Sequence, residues 1–166
     1  RWPQVYEGKG WQTMLGALYD VSGIPFVLLV DGDSGEILAT ERAGTADTDP
    51  RKQVYTEAEL KAAVDEAATK GVPVQAHAHG EEGAMAAVRA GVRSIEHGTY
   101  LSDETLRLMK EKGTYLVATY ATVVDLVEPG GDYDSPALHL RGMHMLPRLK
   151  ETVTRAHAMG IPIVTG

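Results

Sequence analysis

One short unit recurs along the sequence and limits the folds that the chain can adopt. It consists of a helix-like stretch, a glycine, a β-branched or apolar residue and a short apolar run, with copies starting at Gly71, Gly91, Gly113 and Gly160. Glycine readily adopts the left-handed conformation that ends a helix, and a continuously apolar strand is typical of burial on both faces. The repeats therefore predict an α/β fold in which helices alternate with the strands of a parallel sheet.

Start signals support these predicted helices. Thr56 and Glu59 have the spacing of a capping box, which opens a helix ending near Lys70. Further helices are expected over Glu81–Ala90 and from Ser102 to about Lys112.

The C-terminal part predicts a helix break. Residues Ser135 to Met159 are expected to form a short helical piece followed by a longer one, with Pro147 near the break or in a first helical turn. The acidic stretch before them, Asp125 to Asp134, is expected to be a long loop.

The first 45 residues follow a different pattern. A helix-like stretch over residues 11–19 precedes Pro25, and then Phe26–Val30, a polar turn over residues 31–35 and Glu36–Glu41 predict a β-hairpin. We expect this hairpin to extend the four parallel strands into a mixed sheet. The sheet is either half of a TIM-type barrel or an open three-layer sheet.

Composition excludes several classes of function. The chain has no cysteine, which removes disulfides, thiolate metal ligands and cysteine nucleophiles, so any metal must be held by histidine and carboxylate. A net charge of −7 argues against nucleic acid as a partner. No run approaches the roughly 20 apolar residues of a membrane span, and no signal peptide is visible. The sequence leaves the localisation unknown.

Three histidines lie where two consecutive strands are expected to end. His77 and His79 are two residues apart at the end of the predicted strand Val72–His79, so their side chains share a face. His97 ends the next predicted strand. Side chains at the carboxyl ends of neighbouring parallel strands meet at one edge of the sheet, where such folds place ligands. The pattern predicts a metal site that contains His77 and His97.

Other polar residues have less specific patterns. His79 is either a third ligand or a substrate contact, and Thr119 and Tyr120, which end the third predicted strand, are candidate substrate contacts at the same edge. Glu96 is expected on the face of its strand opposite to His97. A lone histidine in a strand is more often a structural residue than a metal ligand. The remaining histidines are expected to be surface or packing residues: His139, His144 and His157.

Residues 49–166 resemble the amidohydrolase superfamily, in particular its imidazolonepropionase-like and Xaa-Pro dipeptidase-like branch. Four segments carry the resemblance: Asp49–Glu57, Pro73–Gly80, Ala90–Thr99 and Leu116–Thr119. The resemblance implies a (β/α)₈ barrel with a mono- or binuclear zinc site that activates water to hydrolyse amide or related C–N bonds. It also implies that His77 and His97 correspond to the metal ligands of the fifth and sixth strands.

The departures from that family are equally informative. Its first-strand His-x-His pair and fourth-strand lysine have no counterpart here, and its eighth-strand aspartate would follow Thr165-Gly166. The resemblance therefore implies a catalytically incomplete half-barrel with two of the expected ligands and weak zinc binding.

Residues 1–45 resemble the C-terminal part of a thioredoxin-like domain. The resemblance runs through Trp2–Tyr6, Gly8–Trp11, Leu18–Val21 and Gly23–Pro25. The combination of a thioredoxin-like segment (1–45) with an amidohydrolase-like half-barrel (46–166) is consistent with a natural fusion, a recombined fragment or an engineered chimera. Without cysteine, thiol–disulfide activity is excluded.

Three functional hypotheses follow. The first is a metal-dependent hydrolase fragment whose substrate, if it is active, is a small or dipeptide-like molecule. The second is a non-catalytic structural or chimeric module, with a homodimer completing the barrel. The third is a thioredoxin-like module that docks extended peptides at Pro25.

Overall fold

The computed structural model describes residues 26–30, 37–42, 51–130 and 136–165. The chain divides into two compact units, Arg1–Thr48 and Asp49–Gly166. Several predicted features lie outside the described residues: the helix at residues 11–19, Pro25, the hairpin turn and the end of the acidic loop.

The described residues of the first unit are two antiparallel strands. Strand β1 (Phe26–Val30) pairs with β2 (Ile37–Arg42), and the register shifts between Leu29 and Val30. The expectation of one mixed sheet is wrong, because the described strands form separate two-stranded and four-stranded sheets. Hairpin strands satisfy each other's hydrogen bonds across a short connection, whereas pairing with a distant strand requires a longer loop to be closed.

The second unit alternates helices with parallel strands, as the repeats predict. Its strands are β3 (Gln75–Ala78), β4 (Ser94–His97), β5 (Tyr115–Val117) and β6 (Ile163–Val164). Its helices are α1 (Glu57–Thr69), α2 (Glu81–Ala90), α3 (Asp103–Lys112), α4 (Tyr120–Asp125) and α5 (Pro136–Ala158).

Strand order distinguishes the two predicted architectures. The four parallel strands lie in sequence order, β3-β4-β5-β6. Helix α1 packs on α2, α2 on α3, and α3 on α5, so successive helices are neighbours. A doubly wound sheet reverses its strand order and places helices on both faces, whereas a barrel keeps the order and places the helices outside. The second unit is therefore a segment of an α/β barrel.

Local signals explain where the helices begin. The Thr56 side chain accepts a hydrogen bond from the backbone N–H of Glu59, whose carboxylate in turn accepts one from the backbone N–H of Thr56. Ser102 caps α3 by accepting from the backbone N–H groups of Glu104 and Thr105. Both helix starts agree with the sequence predictions.

The core lies between the parallel sheet and its helices. The sheet contributes Ile95 and Leu116, and helices α2 and α3 contribute Val88, Leu106 and Met109, all with 0% exposure. Burial of such side chains stabilises the unit by about 1.5–3 kcal/mol each. None of the helices in the described ranges has the length and apolar character that crossing a bilayer requires.

Helix α5 corrects the prediction of a break at Pro147. The helix is continuous, with Pro147 inside it. A proline here removes one backbone hydrogen bond, but Pro147 lies on the exposed side of the helix. Met145 and Leu149, with 3% and 0% exposure, anchor the turns on either side of it in a core cluster. Packing on both sides of the proline holds the two halves in one helix.

Candidate metal centre

Three histidines lie at the carboxyl edge of strands β3 and β4. His77 is within β3, His79 follows that strand by one residue, and His97 is the last residue of β4. The parallel register pairs Ala78 with His97, which brings the two strand ends level. The strand ends at Ala78 instead of His79, but the predicted position of the histidines at one edge of the sheet agrees with the structure.

The three imidazole rings form a compact cluster. The ring centroid of His77 lies 4.9 Å from that of His79 and 4.4 Å from that of His97. His79 and His97 are stacked, with centroids 4.5 Å apart and planes 12° from parallel. One ring nitrogen from each residue lies within 4.8 Å of the others. His97 Nε2 and His77 Nδ1 are hydrogen-bonded at 2.8 Å.

Two threonines contact the nitrogens on the outer side of the cluster. His79 Nδ1 lies 2.8 Å from Thr99 Oγ1, and His97 Nδ1 lies 2.5 Å from Thr119 Oγ1. Thr99 is fully buried, and its backbone carbonyl accepts a hydrogen bond from Thr152 of α5. These contacts fix the orientation of two of the three rings.

The backbone at this edge is strained at two positions. His97 has φ 72° and Thr119 has φ 46°, the only positive values among the described residues other than glycine. The left-handed region is unfavourable for a side chain with a Cβ, and it is most unusual for a β-branched residue such as Thr119. Such conformations persist where the surrounding structure enforces them, and they are concentrated at functional sites.

The sequence predicts that Thr119 and Tyr120 end the third parallel strand, but neither residue lies in a strand. Strand β5 ends at Val117, and Thr119 is the N-cap of α4, with Tyr120 its first residue. The left-handed conformation of Thr119 turns the chain from strand to helix. Thr119 reaches the cluster, whereas in the described part of the chain Tyr120 makes no hydrogen bond or ring contact with the three histidines.

Burial keeps the cluster unprotonated. It lowers the pKa of His77 from its ordinary value of 6.5, although the side chain remains partly open to solvent. Burial, followed by repulsion from the protonated form of His77, lowers the pKa of His97 to about 4. Burial, followed by repulsion from the protonated forms of His97 and His77 and from the Arg141 guanidinium, lowers the pKa of His79 to about 3. The three rings are therefore mostly neutral at neutral pH.

A second group of polar side chains consists of Tyr100, from the connection between β4 and α3, and of Arg141 and His144 from α5. The Tyr100 hydroxyl and His144 Nδ1 are hydrogen-bonded at 2.9 Å, and Arg141, one helical turn before His144, exerts its charge on His79. Sequence reasoning interprets His144 as a surface or packing residue and assigns no role to Tyr100, Arg141 or Thr99. Their signal is weak, because helix α5 is distant in sequence and the register at which it packs depends on the whole core.

The other predicted polar residues stand apart from the cluster. Glu96 accepts a hydrogen bond from Ser94 at 2.7 Å, as expected for a carboxylate with a structural partner. His139 and His157 are exposed on α5. His144 is also exposed, and its described partner is Tyr100.

The donor set fits a metal ion. Imidazole binds metals in its neutral form, and the lowered pKa values supply that form at neutral pH. Nitrogens on one zinc ion lie within about 4 Å of each other, because each Zn–N bond is about 2.0–2.1 Å long. The 2.8 Å separation of His97 and His77 lies within that limit, whereas the set of three nitrogens lies within 4.8 Å, which exceeds it.

Comparison with known proteins identifies the family. The model of the Amidohydrolase family matches residues 28–160. The chain belongs to the amidohydrolase family. The match begins within β1 and so includes most of the hairpin. None of the reported similarities supports a thioredoxin-like segment or a chimera.

Several amidohydrolase relatives match the chain in sequence and structure. Ochratoxinase of Aspergillus niger is 37% identical over 97 residues, which make up 58% of this chain and 20% of that protein. The crystal structure of A. niger ochratoxinase has a TM-score of 0.62 and 31% identity over 69% of this chain and 26% of that one.

Two peptidase structures are also similar. A Xaa-Pro dipeptidase with methionine bound in its active site has a TM-score of 0.59 and 34% identity over 66% of this chain and 28% of that one. A prolidase complexed with N-methylphosphonate-L-proline has a TM-score of 0.61 and 31% identity over 66% and 27% of the two chains. This amidohydrolase chain thus spans about a fifth to under a third of the length of these relatives.

Proposed function

We propose that this chain provides histidine ligands for the zinc ion of a hydrolase that cleaves amide C–N bonds in small, peptide-like substrates. The convergence of three neutral imidazoles at the carboxyl edge of two adjacent barrel strands carries the proposal. Family membership and the similarity to Xaa-Pro dipeptidase and prolidase structures support the reaction class.

The side chains of the cluster have distinct roles in this proposal. His77 and His97 ligate the metal, because their facing nitrogens are already 2.8 Å apart. A bound zinc ion supplies a Lewis acid that polarises a carbonyl and activates water. His79 stacks on His97 and provides either a third nitrogen or a contact to the substrate.

The ligands bound by similar proteins support the choice of substrate class. Methionine and N-methylphosphonate-L-proline, the ligands of the two similar peptidases, each carry a carboxylate. We propose an N-acylated amino acid or dipeptide as the substrate, with Tyr120 remaining a candidate contact at the mouth of the site.

Zinc calorimetry on the 166-residue chain tests the metal site. We expect one zinc ion per chain and at least a 100-fold loss of affinity in His77→Ala and in His97→Ala, since each removes a ligand. His139→Ala, on the exposed face of α5, is the matched control and should bind zinc like the wild type. Unchanged zinc binding in the two cluster variants would contradict the proposal.

The same titration distinguishes the remaining alternatives. His79→Ala should lose affinity as strongly as His77→Ala if His79 is a ligand, and should keep its affinity if His79 contacts substrate. A chain without zinc affinity would favour the non-catalytic module, and the mass in solution would then show whether two copies associate.

Hydrolysis tests the reaction class separately. A panel of N-acyl amino acids and Xaa-Pro dipeptides is incubated with the zinc-loaded chain. The described residues supply three histidines and no further ligand within the cluster, so we expect little turnover. The turnover that is measured should be lost in the His97→Ala variant.

A further inference from the structure

The Thr119 hydroxyl lies between two hydrogen-bonding groups. Its oxygen is 2.5 Å from Nδ1 of the His97 ring, and it donates to the backbone carbonyl of Ala118 at 2.8 Å. A threonine hydroxyl has one proton and can donate only one hydrogen bond. With that proton directed at Ala118, the oxygen can only accept from His97.

This direction determines where His97 carries its proton. Because Thr119 accepts, the proton of the neutral His97 ring lies on Nδ1, and Nε2 keeps its lone pair. That Nε2 atom faces His77 Nδ1 at 2.8 Å, on the inner side of the cluster. In the metal-free chain this lone pair accepts the hydrogen bond from His77 Nδ1–H, so it points to the inner side of the cluster, where the other ring nitrogens converge.

The backbone shows that this arrangement has a cost. Thr119 is β-branched and has φ 46°, a conformation that disfavours a side chain of this shape. Hydrogen bonds on both sides hold it: its N–H donates to the carbonyl of Thr165 at 3.1 Å, and its carbonyl accepts from Thr122 at 3.1 Å. The chain retains a threonine in a conformation where glycine or asparagine would be less strained.

We propose that Thr119 is a positioning residue that holds His97 in the tautomer whose Nε2 binds the metal. This role rests on the proposed metal-binding function and differs from the substrate contact predicted from the sequence. A hydroxyl whose proton is already committed to Ala118 is poorly suited to donate to a substrate. Metal-ligating histidines commonly use their second ring nitrogen in this way, and loss of the partner typically weakens metal binding about 10- to 100-fold.

The tautomer can be measured without any metal. Long-range ¹H–¹⁵N spectra of the metal-free chain at about pH 8, above the ordinary imidazole pKa, report which ring nitrogen carries the proton. We expect His97 to be protonated on Nδ1 in the wild type. A proton on Nε2 would overturn the proposal whatever the variants show.

The variants then test whether Thr119 causes this preference. Thr119→Val keeps the branched shape but removes the hydroxyl, so zinc affinity should fall about 10-fold or more and the tautomer preference of His97 should weaken. Thr119→Ser restores the hydroxyl and should restore both readouts.

Thr114→Val is the matched control, because it makes the same substitution at the residue directly before the amino end of β5. The Thr114 side chain is buried, and its hydroxyl donates a long hydrogen bond of 3.5 Å to the backbone carbonyl of Val92. Its loss should leave zinc affinity and the His97 tautomer unchanged.

The outcomes separate this proposal from the proposed function. If the wild type binds no zinc, the metal-site proposal fails, whereas the tautomer measurement still stands. If the wild type binds zinc and Thr119→Val binds it equally well with an unchanged tautomer, only the role of Thr119 is refuted. Should Thr119→Val not fold, Thr119→Ala replaces it, and the wild-type tautomer remains decisive.

Discussion

The two ends of the parallel sheet use positive φ angles in different ways. Before the amino ends of the strands, the chain leaves each helix through a glycine: Gly71, Gly91, Gly113 and Gly160 all have positive φ. At the carboxyl edge, Gly98 also has positive φ, but His97 and Thr119 adopt positive φ although both have a Cβ.

The difference teaches where this molecule tolerates strain. A glycine turn needs no support, because the left-handed conformation is accessible to glycine without steric conflict. The carboxyl edge instead keeps residues whose side chains form the histidine cluster, and the cost of their conformation is offset by the rest of the fold. We infer that the amino end serves stability and the carboxyl edge serves chemistry.

The largest expected effect is at the carboxyl edge. Asparagine tolerates the left-handed region better than most residues, so His97→Asn should relieve strain at φ 72° while it removes a proposed metal ligand. We expect zinc affinity to fall at least 100-fold, with the melting temperature of the metal-free chain close to that of the wild type. Collapse of the metal-free fold would show that His97 is mainly structural and would break the comparison between the two ends.

The second effect is the dependence of metal-free stability on pH. The lowered pKa values of His79 and His97, about 3 and about 4, mean that the folded rings stay neutral over a range in which unfolded histidines, with a pKa near 6.5, are protonated. Between about pH 6.5 and pH 4 the unfolded state therefore binds more protons, and the free energy of unfolding falls as the pH is lowered. We expect a loss of up to about 2–3 kcal/mol per pH unit at the steepest point, because each of the two groups contributes about 1.4 kcal/mol per pH unit.

Denaturant unfolding in the presence of a chelator, repeated across this pH range, checks that expectation. His79→Gln removes one of the two strongly shifted groups and should reduce the slope. His157→Gln, at an exposed position on α5, should leave it unchanged. A flat profile in the wild type would show that the cluster is open to protonation in the folded state.

The smallest effect belongs to the amino end. A Cβ on Gly113 would meet no atom within 4 Å, so Gly113→Ala tests the backbone conformation at φ 70° without a packing clash. We expect a loss of about 1–2 kcal/mol in unfolding free energy, the cost of placing a side chain in the left-handed region. Zinc affinity, measured in parallel, should not change. A parallel loss of affinity would mean that the two ends are coupled.

Much of the second unit could be predicted from local patterns. The glycine turns, the capping box at Thr56 and the start of α3 at Ser102 each depend on residues close in sequence. The meeting of His77 and His97 follows from strand periodicity and from the level ends of parallel strands. Local chemistry determined these features, so a single sequence was sufficient to predict them.

The misses have long-range causes. The continuity of α5 through Pro147 depends on the buried anchors Met145 and Leu149, which no local signal reveals. The conformation of Thr119 depends on a hydrogen bond to Thr165, 46 residues away in the sequence. The influence of Arg141 on His79 similarly requires knowledge of how α5 packs.

The most direct test of the metal site is a zinc titration followed by ring ¹⁵N spectra of all six histidines. We expect the signals of His77 and His97 to shift and to saturate at one equivalent of zinc. The signals of His139, His144 and His157 should stay in place. Absence of any shift at His77 and His97, or a first response from the histidines of α5, would contradict a metal centre at the carboxyl edge of the sheet.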